Sequence, residues 1–126
     1  MEKNKSFKVR FYKDKQGRQP ALEYIRELSE KRDKDSRINL NKINNYIEAL
    51  KQYGTRIGKP FVKYLDKGIW ELRPLGNRIF FVVWVNETFV LLHAYEKKSQ
   101  KTPEKELKRA LQEYKELLER GLDNDK

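Results

Sequence analysis

Residues 69–96 read IWELRPLGNRIFFVVWVNETFVLLHAYE, and the period of two within them decides the fold. Ile69–Arg73, Arg78–Val85 and Thr88–Glu96 are rich in β-branched and aromatic residues, with PLGN and NE between them as turns. Strands joined by turns this short pair antiparallel, as a meander. The run IFFVVWV is apolar on both faces, which places it at the sheet centre, covered by helices on one side and by something else on the other.

Outward from this stretch, Phe61–Leu65 is a further strand signal, divided from Ile69 by a DKG turn. Near the start, FKVRFY alternates, with Phe7, Val9 and Phe11 on one face and Lys8, Arg10 and Tyr12 on the other. DKQGR turns the chain, and Pro20 suits an early helical position ahead of Ala21, Leu22, Ile25 and Leu28. The charged stretch EKRDKDS breaks this helix from a second, Asp35 to Tyr53, striped by Leu40, Ile43, Ile47 and Leu50 and flanked by Tyr46 and Tyr53. Such a helix pair needs a sheet to cover its stripe.

On the other side, Thr102, Pro103 and Glu104 read as N-cap, first helical position and dipole-complementing acid. Leu107, Ala110, Leu111, Tyr114, Leu117 and Leu118 share one helical face, and Gly121 ends the helix. The predicted class is α+β, a small antiparallel sheet packed by a helix pair and a C-terminal helix. The order is β-α-α-β-β-β-α, with the status of Phe61–Leu65 left open. One domain over residues 1–121 and a polar tail over 122–126 are expected.

Hydrophobic residues make up 37% and charged residues 38%, so the surface is heavily charged. No run approaches the roughly 18 apolar residues of a membrane span, and MEKNKSFKVR lacks a signal-type apolar stretch, so a cytoplasmic protein without a membrane partner is expected. No cysteine and one histidine, His93, exclude disulfides, thiolate zinc and a histidine cluster, so no metal or cofactor is expected. The net charge of +10 is uneven. Residues 1–53 hold 14 basic and 8 acidic groups (+6), 54–101 hold 9 and 4 (+5), and 102–126 hold 6 and 7 (−1). A positive field of this kind fits a polyanion, although lysine-rich surfaces also merely keep proteins soluble.

Alternation puts Ile69, Glu71 and Arg73 on one face, and Arg78 opens the next strand just across the turn from Arg73. Two guanidiniums so placed can grip a phosphate. On the last strand Phe89, Leu91, His93 and Tyr95 are expected to share a face, ahead of the basic exit HAYEKKSQKTP. RNA is cut without metal when its 2′-hydroxyl attacks the adjacent phosphorus. Lysine, arginine and tyrosine can take one proton, give another and stabilise the phosphoryl charge. Tyr95 can also stack a base.

YLDKGIWELR (64–73), RIFFVVWV (78–85) and LLHAYEKKSQKTPEKEL (91–107) together resemble the phage-derived branch of the RelE/HigB toxin superfamily. In that branch a "glwElR" strand, an arginine opening the next strand and an "LLhgF-KK-tqktP" segment before a helix recur. The resemblance implies the toxin of a type II toxin–antitoxin pair, a metal-independent, ribosome-dependent mRNA endonuclease. Its partners would be mRNA on the ribosome and a small antitoxin, often a helix-turn-helix protein of HigA type, in a hetero-oligomer.

Residue by residue, Arg73 matches the phosphate-holding arginine, Arg78 the arginine of the next strand, and Lys97 and Lys98 the double lysine. Tyr95 stands where the motif commonly has Phe, which supports its ring rather than its hydroxyl. Arg73, Tyr95, Lys97 and Lys98 are therefore the expected catalytic set, with Lys59, Lys63, Arg78, His93 and Lys101 as RNA contacts. The same scaffold also resembles the ParE toxins, which inhibit DNA gyrase, so a gyrase inhibitor and a non-catalytic RNA- or ribosome-binding protein are the alternatives.

Overall fold

In the computed structural model, which describes residues 6–122, the middle of the chain is a meander of four strands: β2 (Val62–Asp66), β3 (Ile69–Leu72), β4 (Asn77–Trp84) and β5 (Thr88–Glu96). The run left open at Phe61–Leu65 is thus a strand. Ahead of it come β1 (Lys8–Phe11), α1 (Pro20–Glu30), α2 (Lys34–Tyr53) and a 3₁₀ turn over Gly54–Ile57, and α3 (Glu104–Arg120) follows. Residues 1–5 and most of the expected tail, 123–126, lie outside the described residues. Leu122, expected to begin that tail, instead packs beside α3.

The sheet order is β1-β5-β4-β3-β2. The meander is antiparallel, but β1 lies parallel to β5, with Lys8 opposite Thr88, because the helix pair carries the chain from one edge of the sheet to the other. Both faces of β4 are covered. On one, Ile79 and Phe81 join Val62, Leu72, Phe89 and Leu91 against Ala21 of α1 and Ile43 and Leu50 of α2. On the other, Phe80 and Val82 join Ile69, Val90 and Leu92 against Ala110 and Leu117 of α3, the cover that the sequence left unspecified. Full burial of Phe80 and Phe81 removes their rings from water and contributes roughly 2 kcal/mol each.

Helix ends follow local chemistry. Asp33 caps α2, accepting from Ser36 N at 2.9 Å and Ser36 Oγ at 2.8 Å. Gly54 ends it at φ 68°, where a Cβ would come within 2.8 Å of the Phe7 ring. Thr102 does not cap α3: Pro103 holds that position, and the threonine hydroxyl is used elsewhere. No described helix is long and apolar enough to cross a membrane.

An irregularity in the β4–β5 pairing sets which side chains reach the open end of the sheet. Between Ile79↔Ala94 and Phe81↔Leu91, two steps along β4 face three along β5, so β5 carries a one-residue bulge at Leu92–His93. Side-chain alternation changes phase there. Phe89 and Leu91 face the helix pair, as does Ala94, whereas Tyr95 packs with Phe80 on the α3 side. The expectation that Phe89, Leu91, His93 and Tyr95 share a face is thus corrected.

Candidate functional site

Where β3, β4 and β5 end together at the PLGN turn, α3 no longer covers the sheet. Arg78 pairs with Tyr95 across β4–β5, Glu71 with Phe80 across β3–β4, and Lys63 with Glu71 across β2–β3. Directly paired residues share a face, so Lys63, Glu71, Arg78 and Tyr95 point the same way. The bulge puts Tyr95 there. The turn itself is fastened from both sides of the sheet. Asn77 accepts from Tyr24 Oη at 2.6 Å and donates to Asn39 Oδ1 at 2.8 Å, while Arg78 Nη1 donates to the Leu75 and Asn77 carbonyls at 2.8 Å. Lys97 is tied in through its backbone N–H, which donates to Gly76 O at 2.8 Å.

At the centre lies Glu71, only 2% exposed. Its Oε1 is 3.6 Å from Arg73 Nε, an ion pair too long for a hydrogen bond, and its Oε2 accepts from Thr102 Oγ1 at 3.3 Å. The Thr102 hydroxyl thus ties the segment leading to α3 onto β3. Glu71 is the member of this cluster that the motif reading omitted. Its face was legible from alternation with Arg73, but nothing in the sequence showed a carboxylate serving several cations.

Among the described residues, the buried side-chain nitrogen and oxygen atoms without a hydrogen-bond partner are Arg73 Nε, Arg78 Nε and Tyr95 Oη. All three are donors, and all belong to this cluster. An unsatisfied buried donor costs about 1–3 kcal/mol, a cost that an acceptor oxygen brought to the cluster would relieve.

The electrostatics agree with the geometry. Partial burial pulls the Lys97 ammonium below its usual pKa, and the Arg78 and Arg73 guanidiniums push the same way. Burial also lowers Arg78, against the opposing pull of Glu71. Tyr95 is raised, first by burial and then by the Glu71 carboxylate; the nearby Thr102 hydroxyl pulls slightly the other way without forming a well-aligned hydrogen bond. Tyr95 therefore remains a proton donor near neutrality. Its ring stacks on Phe80 at 5.6 Å and 28°, leaving it partly exposed.

The other expected residues divide. Lys98 is exposed and borders an open depression of about 400 Å³ with Gly76, Lys97, Ser99 and Gln100. Lys63 is exposed beside Glu71 and acts on Lys97. Lys101 is exposed on the loop before Thr102. Lys59 is exposed in the turn before β2, where Phe61 O accepts from Arg73 N at 2.9 Å, but no described contact joins its side chain to the cluster. Arg78 is 8% exposed and spends Nη1 on the turn, so it is less open to RNA than the paired-arginine reading supposed.

His93 leaves the set expected to meet RNA. It is 1% exposed, with Nδ1 2.7 Å from Glu113 Oε1 and Nε2 2.9 Å from Glu106 Oε1. Arg109 Nε donates to the second oxygen of Glu113 at 3.1 Å. The imidazole is a clamp that fastens α3 to the bulge.

The family model of phage-derived Gp49-like proteins (DUF891) matches residues 23–115. No curated protein sequence matches the chain. Among solved structures, the archaeal RelE–RelB complex from Pyrococcus horikoshii OT3 contains a chain that superposes with a TM-score of 0.53 at 13% identity, covering 75% of this chain and 99% of that one. The fold is that of the RelE superfamily.

Proposed function

We propose, from the premise that this chain belongs to the phage-derived Gp49-like family, that it is the toxin of a toxin–antitoxin pair and cuts mRNA on the ribosome without a metal. The observation that carries the reading is the convergence of three unpartnered buried donors, Arg73 Nε, Arg78 Nε and Tyr95 Oη, beside a lysine of lowered pKa. A phosphodiester brings the acceptor oxygens that such donors lack.

In the proposed reaction the neutral amine of Lys97 takes the proton of the RNA 2′-hydroxyl as its oxygen bonds to phosphorus. Arg73 stabilises the charge on the phosphoryl oxygens. The bond from phosphorus to the 5′-oxygen breaks, and the Lys98 ammonium gives that oxygen a proton. The products are a 2′,3′-cyclic phosphate and a 5′-hydroxyl. Tyr95 offers a partly exposed ring to a base, and Lys63 and Lys101 add positive charge along the strand. A ribosome that fixes the substrate geometry would supply much of the rate, as positioning alone can be worth about 7–11 kcal/mol.

The structural relative was solved with RelB, which supports a small protein antitoxin here too; a helix-turn-helix partner of HigA type follows from the sequence resemblance. The test is induced expression in a bacterium, with and without Arg73→Ala, followed by mapping of mRNA 5′ ends. New cuts within translated frames, lost in the variant and on blocking translation, are expected. Growth arrest with uncut mRNA would overturn the reading in favour of gyrase inhibition or a passive block.

A further inference from the structure

The depression beside Lys97 and Lys98 does not end at the site. It shares Gly76 with a second depression of about 220 Å³, lined also by Tyr24, Leu28, Lys31 and Asn39. That one shares Leu28 and Lys31 with a third, of about 650 Å³, at the corner between α1 and α2, where Arg32 and Arg37 lie. Lys31, Arg32 and Arg37 are exposed and make no ion pair with another described residue.

We infer that these three neighbouring depressions, from Lys97 and Lys98 over Gly76 to Lys31, Arg32 and Arg37, act as one groove that holds the single-stranded RNA flanking the cleaved bond. The inference rests on the proposed function and extends it to the path of the substrate. Positive charge prevails at both ends of the groove, where phosphates would be held, with Glu30 the acidic residue among the three cations of the corner. The middle differs. Asp35 and Glu96 line it, and their carboxylates repel phosphate but accept from the amino groups of bases. An alternation of phosphate-binding ends and a base-facing middle suits a flexible single strand with its bases turned inward, and a rigid duplex less well.

Gly76 makes the path testable. A Cβ there would meet nothing within 4 Å, and its φ lies outside the left-handed range, so a large side chain fits the backbone and blocks the groove. The probe is fluorescein-labelled 2′-O-methyl RNA, which lacks the attacking hydroxyl, as a trimer and a 12-mer, followed by anisotropy over a salt series. Wild type is expected to bind the 12-mer more tightly than the trimer. Replacing Lys31, Arg32 and Arg37 with Ala together should weaken 12-mer binding about tenfold and flatten its salt slope by roughly 2, at about 0.7 per lost phosphate contact. Trimer binding should hold. Gly76→Trp should weaken the 12-mer with all three cations present.

Length-independent binding by wild type, or full 12-mer affinity in both variants, would overturn the groove while leaving the cutting site intact. Failure of wild type to bind either RNA would likewise overturn the groove, whereas the functional reading stands or falls with the mRNA cuts mapped on translating ribosomes. A polyglutamate peptide that binds wild type and loses the triple variant, with 12-mer binding unchanged, would reassign the corner to an acidic protein.

Discussion

The two faces of one sheet have opposite characters. Toward the helix pair, Val62, Leu72, Ile79, Phe81, Phe89 and Leu91 form an apolar layer, and the main polar insertion, Asn77, is bonded to Tyr24 and Asn39. Toward α3 the apolar core is interrupted by polar groups along its length. One end carries the Tyr12–Glu116 contact, the centre the His93 clamp, and the PLGN end a cationic cluster with three unpartnered donors. Both faces thus hold a buried apolar cluster, but the unmet bonding capacity lies on the second. A cluster of this kind can keep its donors unpaired because the other face fastens the same turn.

If that division is right, substitutions on the two faces should separate activity from stability. The largest effect is expected for Arg73→Ala: cleavage should fall by about a thousandfold, the upper range for loss of one charge-stabilising donor, with a melting temperature lowered far less than by loss of a core side chain. Leu91→Ala should do the reverse. Truncation of a fully buried leucine should lower unfolding free energy by about 3 kcal/mol in denaturant titration and leave activity per folded molecule intact.

Lys97→Ala should lower the rate about a hundredfold and also change its pH dependence. The neutral amine is the reactive form, and its pKa is held down by burial, Arg78 and Arg73, so wild-type rate should rise with pH until that pKa is passed. The variant should lose this limb. Glu71→Gln is the smallest and most discriminating change. Glu71 holds the Lys97 pKa up against the guanidiniums, so its loss should move the rising limb to lower pH, with a rate loss of about tenfold as Arg73 loses its partner. An unshifted limb would mean that Glu71 does not couple to the base.

Most of the fold was legible because periodicity reports burial. The double-sided run in β4, the stripes of α2 and α3 and the turn residues each carried a local signal. The bulge did not. FVLLHAY is a run with no break that marks a change of phase, and the extra residue shows only in the pairing, where His93 meets Phe80 beneath α3. Motif position therefore singles out Tyr95 but gives it the wrong neighbours, and His93, expected among the RNA contacts, is internal. Parallel pairing of β1 and the hydroxyl of Thr102 reaching Glu71 were hidden for the same reason: both join residues far apart in sequence.

The chemistry of the cut ends tests the central claim most directly. Purified protein, added to translating ribosomes carrying a defined mRNA, should leave a 5′-hydroxyl and a 2′,3′-cyclic phosphate, read by end-specific ligation and mass spectrometry. Both ends should be absent with Arg73→Ala. Cuts that leave a 5′-phosphate would contradict attack by the 2′-hydroxyl, and mRNA that stays intact on ribosomes occupied by the protein would contradict a cleaving site on the α3 face.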